Sequence, residues 1–279
     1  MKPAPFDYVA VGTADEAVAA LAAAGDDAVV LAGGQSLVPL LNLRLARPSL
    51  VVDIGRIAGL GEIDANGVLT LGALTRQAQA LRSPEVAQRA PLLAEALRHM
   101  GHAATRARGT VGGSVAHADP AGELPAVLLA LDGDVVLRGP GGLERILPAS
   151  DFFQGPFQTA RRQNELLVSL RLPAAPAGLC WGFHEIARRQ GDFAIAGAAV
   201  TVAPGGHARI ALFGVAPAAF RATEAEAALA AGAPPAEVAA LAAAASSPHD
   251  DIHATAAYRR TAVAVAVERA LAQAGAAHP

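Results

Sequence analysis

A single cysteine, Cys180, stands among 279 residues, which excludes an intrachain disulfide framework, a cysteine-ligated iron–sulfur cluster and a zinc ribbon. Any metal redox centre must therefore be held by another chain. Long apolar runs are missing too. Much of the 53% hydrophobic content is alanine in helix-forming stretches, and no uninterrupted span of about eighteen strongly apolar residues marks a membrane helix. Residues 1–8 have no apolar leader core, so a cytoplasmic chain is expected. Basic residues are scattered, and with a net charge of −3 they form no track for a nucleic acid. Three catalytic or nucleotide signatures are also lacking: the Gly-x-Gly-x-x-Gly spacing of a dinucleotide turn, the lysine of a P-loop, and a recognisable nucleophile–base pair.

What the chain does have is glycine pairs placed for close approach. The apolar run Val29-Val30-Leu31-Ala32 stops at Gly33-Gly34-Gln35-Ser36-Leu37, and Pro39 falls in the first turn of the helix expected next. Ser36 stands where a helix cap is wanted. Glycines here can take positive φ and admit a neighbour to the backbone, while the amides of residues 33–37 have no helical acceptor. A row of such amides at a helix N-terminus favours an anion, so a phosphorylated cofactor is the expected guest. Taken alone, a glycine pair after a strand is more often only a tight turn. A second copy, Gly109-Thr110-Val111-Gly112-Gly113-Ser114, reads as another loop leading to a helix over 123–131. Two such loops are expected to grip the two phosphates of one diphosphate.

Around these stretches the pattern predicts three domains, 1–55, 56–175 and 176–279, in an α+β fold. In the first, Thr13-Ala14-Asp15-Glu16 is a capping box ahead of an alanine-rich helix ending near Gly25. Strands over 29–32 and 50–54, joined by a helix over 38–46, then make a small βαβ unit. The second domain holds a hairpin ending at 67–72, helices over 73–82, 84–89 and 91–100, the last capped by Gly101, and strands over 135–138, 144–147 and 165–172. His117 and Asp119 lie there in an irregular segment, and two donors are too few for zinc, so no metal is expected on the chain. After a linker at 174–178, strands over 182–188, 193–202 and 208–215 form an antiparallel sheet followed by three helices, the first capped at Thr223.

On these residues the chain resembles the FAD-binding medium subunit of the molybdenum hydroxylases, in the carbon monoxide dehydrogenase-like branch. Ala32-Gly33-Gly34-Gln35-Ser36 and Thr110-Val111-Gly112-Gly113-Ser114 resemble its two diphosphate stretches. Ala116-His117-Ala118-Asp119-Pro120 with Glu123-Leu124-Pro125 resembles its next signature. Arg188-Arg189-Gln190-Gly191-Asp192-Phe193-Ala194 resembles the start of its C-terminal domain, and Tyr258-Arg259-Arg260 its last helix.

The resemblance implies a two-subdomain FAD-binding fold with a C-terminal antiparallel sheet and helices. It implies that Leu31, Ala32, Gly33, Gly34, Gln35, Ser36 and Leu37, with Thr110, Val111, Gly112, Gly113 and Ser114, wrap the FAD diphosphate. Met100 and Gly101 then lie along the flavin, Glu123 accepts hydrogen bonds from the cofactor, Asp119 is a further contact, and Leu167 presents backbone near the adenine half. Phe193 covers a flavin face, the alternative being a core phenylalanine. His184 stands where many relatives carry a lysine close to the flavin, and Arg188 and Arg189 lie near the electron path. The implied complex is a dimer of heterotrimers. A large chain with a molybdenum cofactor oxidises a substrate with water as oxygen donor, a small chain with two [2Fe–2S] clusters relays the electrons, and this chain passes them to an external acceptor. A self-contained FAD oxidase is the rival, against which stands a C-terminal domain poor in polar aromatic residues for lining a pocket. A second rival is an interaction module whose glycines only turn the chain.

Overall fold

Thr13 starts the first helix by a reciprocal exchange: its hydroxyl accepts from the Glu16 amide, and the Glu16 carboxylate accepts from the amides of Gly12 and Thr13 at 2.7 and 3.2 Å. In this computed structural model, which describes residues 2–276, the helix runs Ala14–Ala24 and stops at Gly25, whose φ of +62° only glycine takes without strain. Residue 1 and residues 277–279, parts of the expected first and third domains, lie outside the described residues. The helix covers a three-stranded parallel sheet in which Leu50–Asp53 lies between Ala28–Leu31 and Asp7–Ala10. The βαβ unit is as expected, but the edge strand Asp7–Ala10 is an addition. It has one β-branched residue and forms because the open edge of Leu50–Asp53 offers it partners. The connecting helix is shorter than expected, Leu37–Asn42, because the chain leaves it through Arg44 in the left-handed region at φ +59°.

The next sheet is antiparallel and five-stranded, in the order Ile63–Asp64, Leu69–Gly72, Leu166–Leu172, Asp134–Arg138, Glu144–Pro148. Helices Pro91–His99 and Glu123–Ala130 bury Leu92, Leu97 and Leu124 against Leu71 and Leu137 of that sheet. Every residue of Glu123–Ala130 is buried. A helix apolar all round must be covered on all sides, and the cover comes from the third sheet. There Phe183, Ala199, Ala211 and Phe213 join the same core, and the Thr201 hydroxyl donates to the carbonyl of Ala130.

That third sheet is a meander of Cys180–Ile186, Ala196–Val202, Ala208–Phe213 and Phe220–Arg221. Its other face carries helices Thr223–Ala230, Pro235–Ala245 and Ala256–Ala276. Thr223 is not the expected cap. It is the first helical residue, and Glu226, the would-be partner of a capping box, accepts from the Arg221 guanidinium and the Ile210 amide instead. Among the described residues no helix is long and apolar enough to cross a membrane.

Gly182 is where the last helix presses on the sheet, since a Cβ there would strike the backbone carbonyl of Ala270. Gly182→Val is expected to cost about 3 kcal/mol by overpacking, measured as a lower urea midpoint. A midpoint equal to that of the wild-type chain would mean that the helix does not bear on this strand.

Candidate functional site

The strand Ala28–Leu31 ends where the Ile54 amide donates to the carbonyl of Leu31, and the chain then turns through Gly33 and Gly34 into the helix at Leu37. Gly34 has φ +72°. Among the described residues the amides of Gly33, Gly34, Gln35, Ser36 and Leu37 donate to no protein acceptor. Ser36 does not cap: its backbone is already helical and its side chain makes no cap hydrogen bond. The free-amide row therefore exists as expected, without the serine cap.

The second glycine stretch is a different object from the expected loop. Val111–His117 is a helix with Thr110 as its cap, so Gly112, Gly113 and Ser114 lie in its first turns. Its amides are already taken. Val111 donates to the Thr75 carbonyl, Gly112 to Ala73, Gly113 to the Thr110 hydroxyl and Ser114 to the Thr110 carbonyl. The reason is tertiary, for two carbonyls of the segment that follows the strand Leu69–Gly72 supply what a loop would have left open. The glycines serve close approach instead. A Cβ at Gly112 would sit 2.6 Å from the Cα of Ala73, and one at Gly113 would face the Cβ of Ala32 at 3.8 Å. Gly33 in turn lies on the backbone of Arg108 and Gly109. Thus the two stretches do meet, one offering amides and the other a glycine-lined wall.

A third wall comes from the C-terminal part. The helix Pro91–His99 ends at Met100 and at Gly101, φ +47°, with the Arg106 guanidinium donating to both their carbonyls at 2.8 Å. Gly191, φ +86°, approaches so closely that a Cβ would lie 2.7 Å from the Gly101 carbonyl oxygen and 2.8 Å from the His102 ring. The turn bearing Arg188, Arg189 and Phe193 is thereby laid beside Gly101. Phe193 is 75% exposed, so it is not a core residue. Leu167 is buried at a bulge in its strand, and the Val168 carbonyl next to it accepts from Ala73, the residue that Gly112 touches.

Acidic groups gather at the same seam. Glu123, 9% exposed, opens the buried helix, and burial pushes its carboxyl up to about 7, with the charge of Asp119 adding to the effect and its own backbone amide opposing it. Asp119 accepts from the Ala121 amide and lies 4.0 Å from His117, whose pKa burial lowers against that carboxylate's pull. Phe157, in the left-handed region at φ +56°, packs against His117 with ring centres 5.0 Å apart and the ring planes tilted by 43°.

His184 and Glu185 occupy opposite faces of the strand Cys180–Ile186. The His184 ring lies 3.0 Å from the Arg269 guanidinium of the last helix, and burial, then Arg269 and His99, lower its pKa. Glu185 shares its face with Phe183, part of the core around Glu123–Ala130, and its carboxyl is pushed up to about 8 by burial and by the charge of Glu123. The sequence reading singled out His184 and did not name Glu185. The available signal was the alternation with Phe183. Among the described residues no three His, Cys, Asp or Glu side chains converge as metal ligands.

Unpaired amides beside a glycine-lined wall, with an exposed aromatic ring on a neighbouring turn, are an arrangement suited to a long, phosphate-bearing cofactor. Residues 4–175 match the FAD binding domain in molybdopterin dehydrogenase, and residues 181–274 match the CO dehydrogenase flavoprotein C-terminal domain. The chain belongs to the family of FAD-binding medium subunits of the molybdenum hydroxylases, in the carbon monoxide dehydrogenase branch. It is 43% identical to 6-hydroxypseudooxynicotine dehydrogenase complex subunit alpha of Paenarthrobacter nicotinovorans, over 98% of this chain and 96% of that one. It is 42% identical to the carbon monoxide dehydrogenase medium chain of Hydrogenophaga pseudoflava, over 79% and 78% of the two chains. Among solved structures, carbon monoxide dehydrogenase from Hydrogenophaga pseudoflava superposes with a TM-score of 0.94 at 42% identity, covering 99% of each chain. Quinoline 2-oxidoreductase from Pseudomonas putida 86 gives 0.91 at 35% identity, again covering 99% of each. The residues present fit FAD, since the free amides of Gly33 to Leu37 are donors that a diphosphate requires.

Gly34→Val puts a β-branched residue at φ +72° with its Cβ 3.2 Å from Val38, a strain of about 1–3 kcal/mol that the loop relieves by moving its amides. The purified variant is expected to retain about tenfold less flavin per chain or worse, read from absorbance. Gly275→Ala, in open space on the last helix, is expected to retain it fully.

Proposed function

We propose that this chain is the electron-transfer subunit of a cytoplasmic heterotrimeric molybdenum hydroxylase. It takes electrons from a small subunit carrying two [2Fe–2S] clusters, which serves a large molybdenum-cofactor subunit, and delivers them to an external acceptor, two trimers pairing into a dimer. The row of free amides at Gly33 to Leu37 in a chain with one cysteine carries the reading. The chain is built to hold a flavin and lacks the thiolates for a cluster of its own. We further propose that residues 1–55, 56–175 and 176–279 act as three domains, each contributing one wall.

FAD, when bound, supplies the electron-storing chemistry. The protein's part is to bind and orient. The amides of Gly33, Gly34, Gln35, Ser36 and Leu37 hold the diphosphate, with Leu31 and Ala32 fixing the turn that aims them. Thr110 locks the facing helix, so that Val111, Gly112, Gly113 and Ser114 form the opposing wall by shape. Met100 and Gly101 line the flavin side, Leu167 offers backbone near the adenine half, Asp119 and Glu123 supply polar contacts, and Phe193 shields a ring face. His184 stands apart, held at Arg269 on the other side of its strand. The relatives are named for 6-hydroxypseudooxynicotine, carbon monoxide and quinoline, yet all resemble this chain along most of its length. That pattern supports substrate choice in another subunit.

Purified alone, the protein is expected to be yellow and bleached by dithionite, yet to stay yellow in anaerobic buffer with carbon monoxide, aldehydes or N-heterocycles. Adding the iron–sulfur and molybdenum chains is expected to restore substrate-driven bleaching. Arg189→Glu, on the exposed turn beside Phe193, is expected to slow that bleaching about tenfold while leaving flavin content unchanged. Bleaching of the lone chain by one of these substrates would show a self-contained oxidase instead.

A further inference from the structure

The end of the helix Pro91–His99 is held by one side chain. Arg106 Nη1 donates to the carbonyls of both Met100 and Gly101, each at 2.8 Å. Successive carbonyls can converge on one nitrogen here because Gly101 is in the left-handed region at φ +47°. Arg106 reaches them from the short helix Ala103–Arg108, whose first turn its amide closes on the His102 carbonyl. Its guanidinium is half-buried, and among the described residues it meets no carboxylate, so these two carbonyls are its only hydrogen-bond partners. The Gly101 carbonyl oxygen is also the near neighbour of Gly191, where a Cβ would lie 2.7 Å from it and 2.8 Å from the His102 ring. The turn that contains Gly191 has little else to rest on. Its base is tied, since the Ile195 amide donates to the Ile186 carbonyl and Ala194 is buried. Among the described residues the tip, 187–193, makes only a hydrogen bond within itself, from the Asp192 amide to the Arg189 carbonyl. Arg188, Arg189, Gln190 and Phe193 on that tip are exposed.

We propose that Arg106 is a positioning residue, the latch that makes the seat on which the Gly191 turn is carried. The guanidinium fixes the direction of the Gly101 carbonyl, the surface of Gly101 and His102 seats Gly191, and Gly191 sets the tip bearing Arg188, Arg189 and Phe193. A charged donor suits the task, since its hydrogen bonds are roughly twice as strong as those of a neutral one. Without it the left-handed turn at Gly101 loses what holds its two carbonyls together, and the tip opens locally while the sheets and helices stay in place. The consequence for the cofactor rests on the FAD reading given above; the latch itself does not. In that reading Met100, Gly101 and Phe193 lie on the flavin side, so a loosened tip weakens the hold on the ring and leaves the amides of Gly33 to Leu37 as they are.

The test uses the full chain and native-state digestion with trypsin, for which Arg188 and Arg189 are themselves cleavage sites in the tip. For the flavin-free protein, Arg106→Gln is expected to be cut there about tenfold faster than the wild-type chain, because cleavage of a locally opened segment follows how often it opens. Cutting after Arg44, exposed in the first domain, is expected to keep its wild-type rate. Arg106→Lys, which keeps a charged donor for the carbonyls, is expected to recover part of the protection. Gly191→Ala forces a Cβ onto the Gly101 oxygen with Arg106 intact, and is expected to open the same site. In titrations with FAD, Arg106→Gln is expected to bind about tenfold more weakly and to alter the visible circular dichroism of the bound flavin. Wild-type cleavage rates at the tip in Arg106→Gln or Gly191→Ala, no recovery in Arg106→Lys, or equal acceleration after Arg44 would overturn the latch. An opened tip with unchanged flavin affinity and dichroism would overturn its consequence for the cofactor. If the wild-type chain takes up no FAD, the cofactor reading itself fails, while the cleavage pattern still decides the latch.

Discussion

Gly33 rests directly on the peptide between Arg108 and Gly109, with no room for even a methyl group, and the rest of the site is arranged about that contact. The first sheet and the helices of the second are brought to backbone distance there, a separation that side chains on either partner would forbid. The Arg76 guanidinium ties the same Arg108 carbonyl from the other side, and the Gln77 amide donates to Gly109. Because the amides of residues 33–37 leave from this point, their direction is set by the contact rather than by the short helix that follows, which has only the residues Leu37–Asn42. A free-amide row on a mobile loop would lose much of its binding energy to ordering; one clamped at its base is already organised.

Burial continues that arrangement into the C-terminal part. The helix Glu123–Ala130 is shared by two sheets, so the strands around Phe183 and Phe213 belong to the same core as Leu71 and Leu137. The far ends of the turns are tied by buried arginine. Arg259 donates to the carbonyls of Ile195 and Gly214 and pairs with Asp251 at 2.6 Å, fixing the strand entry that follows Phe193. Arg161 spends its guanidinium on the carbonyls of Arg162, Gln163 and Glu165 in the approach to the strand holding Leu167. Rigid ties of this kind let an exposed Phe193 keep its place without being a core residue, and support the bulge at which Leu167 is buried.

Charge at the seam follows from the same burial. An apolar helix that is covered everywhere must begin somewhere, and here it begins with a carboxylate, favoured by the helix dipole and disfavoured by loss of water. Loss of water is the larger effect at Glu123, whose carboxyl it pushes up to about 7, and again at Glu185 on the opposing sheet, pushed up to about 8. The acidic pair thus arises from how two elements are stacked, with neither residue unusual in its own strand or helix.

Local chemistry was legible in the chain without its fold. The capping box at Thr13, the stop at Gly25, the turn at Gly33-Gly34 and the end of the helix before Gly101 each depend on groups within about four residues of one another. The family signature was legible for the same reason, being made of short contiguous motifs. Other features depended on distant partners. Asp7–Ala10 became a strand because a vacant edge lay beside it, and Glu226 abandoned a capping box because Arg221 and the Ile210 amide were nearer. The second glycine pair entered a helix because carbonyls of Ala73 and Thr75 met its amides. Alternation along Cys180–Ile186 told that His184 and Glu185 point apart, but both faces of that sheet are covered, so only the packing of Glu123–Ala130 on one side and Ala256–Ala276 on the other decided which of them faces the seam. The sequence by itself determined the turns, the cap at Thr13 and the free amides after Gly33, since these are short-range matters of backbone geometry. Which surfaces meet, and therefore which acids lose their water, was decided by tertiary structure alone, because burial is a property of the stacked elements and not of any one of them.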